Sequence, residues 1–347
     1  MPDPQILYIV TAVVVLGLVG WVIVVLTRSD GKTEDAAPAK AARATGATPA
    51  VSSSGRAKVD LPPRAKPRLH SHSEITDGSA SDAGSDAGLD LEENDEPTGP
   101  HALILVTAVG RTDPGLKRKH NEDAYAILED HHLFVIADGM GRHAAGEVAS
   151  RLCVEAISEA FQKSDFGPLR EPPLPRRAAR LRGATLQANE RILAAALEND
   201  AYTGMGTTVV SAYFSPNNQR VYIAHVGDSR CYRLRSGALT QLTTDHTLGA
   251  AGIVGKTAAI LSRALGVEPN VEVDVGSEAP LPGDIYLLCS DGLSRMVPAP
   301  EIEATLVATA DLEEATKTLT DLANRGGGRD NITVILVRVD NAKVSPA

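Results

Sequence analysis

Residues 133–141 read LFVIADGMG, an apolar run that ends in an Asp-Gly pair. The run Leu133 to Ala137 predicts a strand that is buried on both faces. Other carboxylates also lie close to apolar runs, in Glu122-Asp123, Asp291-Gly292 and Asp330-Asn331. Carboxylates brought together repel one another and are costly to desolvate unless a divalent cation lies between them. The sequence therefore predicts a metal site, and its hard oxygen ligands favour Mg²⁺ or Mn²⁺ over zinc.

Composition limits the classes of protein to which this chain of 347 residues can belong. Its net charge of −10 divides evenly between residues 1–100 and the remainder, which argues against nucleic acid as a partner. The three cysteines, Cys153, Cys231 and Cys289, have no CxxC spacing. This pattern predicts buried structural thiols in a reducing compartment.

The N-terminal third does not have the composition of a folded domain. The uncharged apolar run from Ile6 to Leu26 is long enough, at about 31 Å, to cross a membrane as one helix. A cleaved signal peptide or a buried helix is the alternative. Because Arg28 and Lys32 follow this run, the positive-inside rule predicts a single-pass membrane protein with everything after residue 27 in the cytoplasm.

Four segments are expected along the chain. Residues 1–27 are predicted to be a transmembrane anchor, and residues 28–100, rich in Ala, Pro, Ser and Asp, a disordered linker. Residues 101–341 are predicted to form the catalytic domain, and residues 342–347 a tail.

Short apolar runs alternate with turns in the predicted catalytic domain. The predicted strands are Leu103–Val109, Leu133–Ala137, Thr207–Tyr213, Val221–His225, Ile285–Cys289 and Ile332–Val339. Helical spacing predicts helices over Ala144–Phe161 and Arg176–Leu197 that pack together on one sheet. Strands that are apolar on both faces must be covered twice. The expected fold is therefore α+β, a four-layer αββα sandwich of two stacked antiparallel sheets flanked by helices.

The order of the motifs along the chain is more specific than any motif alone. The motifs are Arg118, Asn121-Glu122-Asp123, Ala137-Asp138-Gly139-Met140-Gly141, Gly206-Thr207-Thr208, His225-Val226-Gly227-Asp228-Ser229-Arg230, Ser290-Asp291-Gly292-Leu293 and Gly328-Arg329-Asp330-Asn331. Over residues 103 to 340 the chain resembles the metal-dependent protein phosphatase family, protein phosphatase 2C type, in its bacterial membrane-anchored branch.

The resemblance implies a role for each site residue. Asp138 would bridge two Mn²⁺ or Mg²⁺ ions, Gly139 would add its carbonyl, and Asp291 and Asp330 would bind one ion. Glu122 and Asp123 would hold metal-bound waters, and Asp228 would bind a third, weaker ion. Arg118 would hold the substrate phosphate while a water or hydroxide that bridges the metals attacks phosphorus.

Several positions permit a second interpretation. Asp-Gly and Asp-Asn pairs are common in turns, and Asp228 also fits a Gly-Asp-Ser hairpin turn. Met140 stands where some relatives have a proton-donating histidine. Arg142 replaces a glycine and is expected to face solvent. The histidines His143, His225 and His246 are expected to pack or hydrogen-bond rather than bind metal.

The segment between His246 and Arg263, which is called the flap below, is short for the family and rich in Gly and Ala. It contains Ala250–Thr257, which is similar to a phosphate-binding loop. However, the preceding residues are polar and the chain lacks βαβ repetition. A nucleotide hydrolase is therefore a weak alternative. A membrane-tethered pseudophosphatase that only binds phosphoproteins is the stronger alternative.

The predicted function is hydrolysis of phosphoserine and phosphothreonine in proteins by a metal-dependent enzyme. The expected partners are phosphorylated proteins, including kinases of the eukaryotic-like Ser/Thr type, and the membrane through residues 6–26.

Overall fold

The computed structural model describes residues 105–141, 145–168, 174–215 and 219–340. The predicted anchor, linker and tail lie outside these ranges, as do Arg142 and His143. The boundaries of those three segments therefore stay predictions.

Two antiparallel sheets form the centre of the described structure. The first sheet has the strand order β1-β11-β10-β7-β8, and the second has the order β2-β3-β5-β6-β9, with β4 paired to β3. The strands are β1 Leu105–Asp113, β2 Asp123–Leu128, β3 Leu133–Met140, β4 Gly206–Thr207, β5 Val209–Ser215, β6 Arg220–Val226, β7 Arg230–Arg235, β8 Ala238–Gln241, β9 Asp274–Glu278, β10 Ile285–Cys289 and β11 Ile332–Asp340.

Alternate residues of the first sheet face two different cores. In β10, Tyr286 and Leu288 pack towards the second sheet, whereas Leu287 and Cys289 pack towards the helices on the other side. The two-residue repeat of a strand thus places apolar side chains on both faces. This sheet is buried twice, as its uninterrupted apolar runs predicted.

Helices cover the outer face of each sheet. They are α1 Ala145–Lys163, α2 Arg176–Glu198, α3 Asp291–Ser294, α4 Ala299–Ala308 and α5 Leu312–Arg325, and two short 3₁₀ turns span Glu129–His131 and Asp200–Tyr202. Helices α1 and α2 pack on each other and on the second sheet, whereas α4 and α5 flank the first. Asp311 caps α5, because its carboxylate accepts a hydrogen bond of 2.8 Å from the Glu314 amide.

The predicted two-sheet sandwich with flanking helices is confirmed. Strand β10 has the predicted bounds, and α1 and α2 begin and end within two residues of theirs. The sequence prediction missed the strands β2, β7, β8 and β9 and the helices α3, α4 and α5. Strand β7 reads RCYRLR, and its three arginines disguise a strand in which Cys231 and Tyr232 are nevertheless buried.

The predicted location in a membrane needs correction. In the described ranges, no helix combines the length and apolar character needed to cross a bilayer. The long helices α1 and α2 carry charged side chains along their exposed faces, which suits a surface helix on a sheet. The prediction of a single-pass membrane protein with a cytoplasmic catalytic domain is therefore not retained. The run Ile6 to Leu26 itself lies outside the described residues.

Candidate active site

The β2–β3 pair brings two of the predicted site carboxylates together. Asp123 and Asp138 lie directly opposite each other in the antiparallel register. Beside them, the Gly139 amide donates a hydrogen bond of 2.9 Å to the Glu122 carbonyl. Facing residues of a strand pair have their Cβ atoms only about 5 Å apart, so the register alone places two carboxyl groups at one point.

The first sheet supplies two more carboxylates at the same edge. Asp291 follows β10, and Asp330 precedes β11, the antiparallel neighbour of β10. The end of one strand and the start of the next therefore meet. Gly292 makes this approach possible, because a Cβ there would lie 1.9 Å from the Asn331 carbonyl oxygen.

Asn331 connects the loop before β2 to the start of β11. Its Nδ2 donates to the carbonyls of Pro114, at 3.0 Å, and His120, at 2.9 Å. Its Oδ1 accepts a hydrogen bond of 3.0 Å from the Glu122 amide. Asn331 belongs to a motif in which it had no predicted role, and its hydrogen bonds make it a positioning residue for Glu122.

The site residues surround one cavity of about 360 Å³. Of the predicted site residues, Arg118, Glu122, Asp138, Gly139, Asp228, Asp291 and Asp330 line it. Asp123 does not line the cavity and is only 2% exposed, so it lies behind the wall. Met140 and Leu261 are also in the lining.

The carboxylates of the site influence one another's pKa values. Burial, and then repulsion by Asp138, Asp330 and Asp291, raises the pKa of Asp123 well above its ordinary value. Its Oδ2 accepts a hydrogen bond of 2.8 Å from the Thr333 hydroxyl, whereas its buried Oδ1 has no hydrogen-bond partner. Burial likewise raises the pKa of Glu122, opposed by Arg118.

A divalent cation fits this environment on two observations. The donors are all oxygens, and a buried carboxylate oxygen is left without a partner.

Gly139 packs its backbone directly against helix α1, since a Cβ there would lie 1.7 Å from the Gly146 carbonyl oxygen. The residue after Asp138 must therefore be glycine.

Arg118 lies at the mouth of the cavity, with its side chain 45% exposed. Its Nη2 donates a hydrogen bond of 2.6 Å to Asp330, and its Nη1 lies 3.7 Å from Glu122. Burial alone would lower the pKa of Arg118, but the carboxylates, Asp330 first, raise it above its ordinary value. The guanidinium group is therefore charged at any working pH.

Arg295 is a site residue that the sequence analysis missed. It lines the same cavity and forms ion pairs with Asp228, at 3.2 Å, and with Asp291. Its spacing of four residues from Asp291 is visible in the sequence. The contact with Asp228 joins residues 67 positions apart, and no local pattern indicates it.

His225 and His246 are stacked beneath the β6–β7 turn, with ring centroids 5.6 Å apart. Burial lowers the pKa of His225 to about 4 and that of His246 to about 3, so both rings are neutral near pH 7. His246 Nδ1 accepts a hydrogen bond of 2.9 Å from the Gly227 amide. A nitrogen of each ring and an oxygen of the Asp274 carboxylate lie within 4.8 Å of one another. Arg263 donates a hydrogen bond of 2.7 Å to that carboxylate. The expectation that these histidines are not metal ligands stays a prediction.

The flap folds back on itself beside the cavity. Its two arms are joined by hydrogen bonds from Leu248 to Ile260, at 2.9 Å, and from Gly249 to Ala258, at 2.8 Å. The residues that are similar to a phosphate-binding loop form the turn between these arms, with no helix after them. A phosphate-binding loop requires a helix N-terminus at that point, so the nucleotide-hydrolase alternative fails.

The three cysteines are free and buried, as predicted. Burial raises the pKa of all three thiols, that of Cys289 to about 12.

Comparison with known proteins agrees with this architecture. The family described as Protein phosphatase 2C matches residues 117–327. The chain is 40% identical over 244 residues to the serine/threonine phosphatase stp of Listeria monocytogenes, covering 66% of this chain and 94% of that relative. It is 36% identical over 247 residues to the serine/threonine protein phosphatase PstP of Mycobacterium tuberculosis, covering 68% of this chain and 45% of that relative.

Solved structures of similar proteins have the same fold. The structure of PstP from Mycobacterium tuberculosis matches with a TM-score of 0.61 at 35% identity, over 69% of this chain and all of that one. The PstP catalytic domain in complex with two manganese ions matches with a TM-score of 0.60 at 36% identity, again over 69% of this chain and all of that one.

These relatives are named as enzymes, which favours an active phosphatase over the binding-only alternative. Both the family match and the extent of the identity agree with the resemblance seen in the motifs. The chain belongs to the protein phosphatase 2C family of metal-dependent serine/threonine protein phosphatases.

Proposed function

We propose that the cavity between the two sheets binds two Mn²⁺ or Mg²⁺ ions and hydrolyses phosphoserine and phosphothreonine in proteins. One observation carries this proposal. Carboxylates from both sheets converge on a single cavity, and behind it the buried Oδ1 of Asp123 has no hydrogen-bond partner. Such a cluster is unfavourable without a cation, because like charges repel and burial removes their hydration.

We assign to each carboxylate the role that the family resemblance implies. Asp138 lines the cavity, lies opposite Asp123 and precedes Gly139, and it would serve both ions. Asp291 and Asp330, on the first sheet, would bind one of the ions. Glu122 and Asp123 act through waters, which is consistent with the burial of Asp123 behind the wall.

Bound cations of this kind lower the pKa of a water at the site and neutralise phosphate charge. The chain supplies the positioning. Arg118, at the cavity mouth, holds two phosphate oxygens through its planar fork, which keeps its charge at all working pH values. Met140 in the lining has no proton to donate, so the leaving serine or threonine oxygen is protonated from solvent or departs unaided.

The test measures release of phosphate from a phosphothreonine peptide by the full chain. We expect turnover in Mn²⁺, none in excess chelator, and none in the Asp138→Ala variant. Circular dichroism before the assay verifies that the variant is folded. If the folded protein in Mn²⁺ releases no phosphate, the proposal fails.

We further propose that residues 101–341 are the catalytic domain and that kinases of the eukaryotic-like Ser/Thr type are among its phosphoprotein partners. Support for the domain comes from the agreement between its limits and the described two-sheet structure. The Asp138→Ala variant, used to capture phosphoproteins, tests the partners. Recovery of no phosphorylated kinase and no kinase substrate would contradict that part of the proposal.

A further inference from the structure

Arg295 places a positive charge between two buried carboxylates at the outer edge of the site. Its Nη2 lies 3.2 Å from Asp228 Oδ2, and its Nη1 forms an ion pair with Asp291. The side chains of Asp228 and Asp291 are only 3% and 10% exposed, whereas that of Arg295 is 42% exposed. One guanidinium group thus pairs with two carboxylates that have little access to water and offsets one of their two negative charges.

Backbone geometry makes this arrangement specific. Asp228 follows Gly227, whose φ of +110° favours glycine, and a Cβ there would lie 2.0 Å from Thr208. Arg295 closes the short helix α3, where its amide donates a hydrogen bond of 2.8 Å to the Asp291 carbonyl. The turn that presents Asp228 and the helix end that presents Arg295 are therefore both held by the backbone.

A divalent ion between Asp228 and Asp291 would need the carboxylate oxygens that Arg295 contacts. An arginine cannot lose its proton to make room, because its pKa lies far above any working pH. A cation can enter only if the side chain swings away and both ion pairs break. In addition, a fixed positive charge a few ångströms away repels an incoming ion.

We propose that Arg295 is a built-in counter-cation which competes with a third divalent ion for Asp228 and so limits this site to two tightly bound metals. This proposal rests on the proposed function to the extent that Asp291 also serves the two-metal centre. It assigns to Arg295 the role of limiting metal binding, which the sequence pattern did not indicate.

Mn²⁺ binding to the metal-free full chain tests this role. Isothermal titration calorimetry gives the number of ions and their affinities, and the EPR signal of free Mn²⁺ counts bound ions independently. We expect two tight ions in the wild type and a third in Arg295→Gln, bound about 10- to 100-fold more tightly than any third ion in the wild type. Arg295→Lys retains the charge and is expected to keep two.

Two controls separate this effect from a general change of charge. Arg151→Gln removes an arginine whose ion pair with Glu155, at 3.7 Å, lies on an exposed face of α1. It should bind metal as the wild type does. In the double variant Arg295→Gln/Asp228→Asn, the gained ion should be lost.

A folded Arg295→Gln protein with wild-type stoichiometry and affinities would overturn the proposal. So would a gained ion that survives Asp228→Asn, or a third ion in Arg295→Lys as tight as in Arg295→Gln. If none of the variants, nor the wild type, bound two tight ions, the proposed function itself would fail, and this inference with it.

Discussion

Buried carboxylates near the two ends of strand β10 differ in whether the protein supplies all of their hydrogen-bond partners. At one end, Asp284 is 1% exposed and fully bonded: Arg235 donates to both oxygens, at 2.8 and 2.6 Å, and the Leu281 amide donates at 2.7 Å. At the other end, in the candidate site, Asp123 is 2% exposed and its Oδ1 has no hydrogen-bond partner. The first arrangement, called the closed end below, is complete with protein atoms. The second, the open end, requires a ligand.

Burial alone does not distinguish a structural carboxylate from a metal-binding one. Both aspartates are equally hidden from water, but only the open end crowds several carboxylates together. Structural carboxylates are paired within the fold, since an unpaired buried charge is costly. A buried carboxylate oxygen without a partner, such as Asp123 Oδ1, within a group of crowded carboxylates therefore distinguishes a metal centre from a structural ion pair.

The largest expected effect is at the open end. Asp138→Asn should reduce turnover of a phosphothreonine peptide by more than about 100-fold, because loss of an outer residue around a metal already costs 10- to 100-fold. Steady-state assays in saturating Mn²⁺ measure this effect. The control Asp130→Asn changes an exposed aspartate on the 3₁₀ turn after β2 and should leave turnover unchanged. Near wild-type turnover in Asp138→Asn would abolish the distinction between the two ends.

A substitution at the closed end should change stability rather than turnover. Asp284→Ala should lower the free energy of unfolding by about 2–3 kcal/mol, since it removes hydrogen bonds to charged groups while Arg235 stays partly in water. Urea unfolding measures the loss. Turnover per folded molecule should stay at the wild-type value, and a fall in turnover would mean that the closed end also serves catalysis.

Asn331→Ala is expected to have an intermediate effect, through Glu122. The three hydrogen bonds of the Asn331 side chain hold the loop before β2, and their loss should weaken Mn²⁺ binding about tenfold. Calorimetric titration with Mn²⁺ measures it. An unchanged affinity would show that the backbone alone holds Glu122 in place.

The smallest expected effect is a change in the pH dependence of stability. In the metal-free protein the pKa of Asp123 is raised, so the folded state binds a proton more readily than the unfolded state. This carboxyl therefore adds stability as pH falls through its raised pKa towards its ordinary value, and the added stability is lost as pH rises again. Unfolding of metal-free wild type and Asp123→Asn across this range should show that contribution only in the wild type. Parallel pH profiles for the two proteins would contradict it.

Much of the fold was accessible from local patterns. Ile285–Cys289 was predicted to the residue because an uninterrupted apolar run has few ways to be buried except as a doubly covered strand. Strand β7 was missed because its arginines resemble a surface segment. One of them, Arg233, forms an ion pair with Glu278 of the other sheet, a partner 45 residues away.

The candidate site was likewise predicted in part from local motifs and depends in part on contacts between distant residues. The order of its motifs indicated the carboxylates and Arg118, and the structure brings seven of the eight predicted site residues to the lining of one cavity. Asp123 was predicted as part of the cluster, but its position behind the cavity wall depends on its contact with Thr333 of the first sheet. The roles of Asn331 and Arg295 depend on contacts across long stretches of chain.

The sequence by itself determined the family and the sandwich of sheets and predicted the site residues, because periodicity and short motifs are local properties. Only the tertiary structure decided which carboxylates are satisfied within the fold and which require a cation. Hydrogen bonding and desolvation depend on atoms that the chain brings together from far apart. The Asp123 Oδ1 atom without a hydrogen-bond partner and the ion pairs of Arg295 are known only from the tertiary structure.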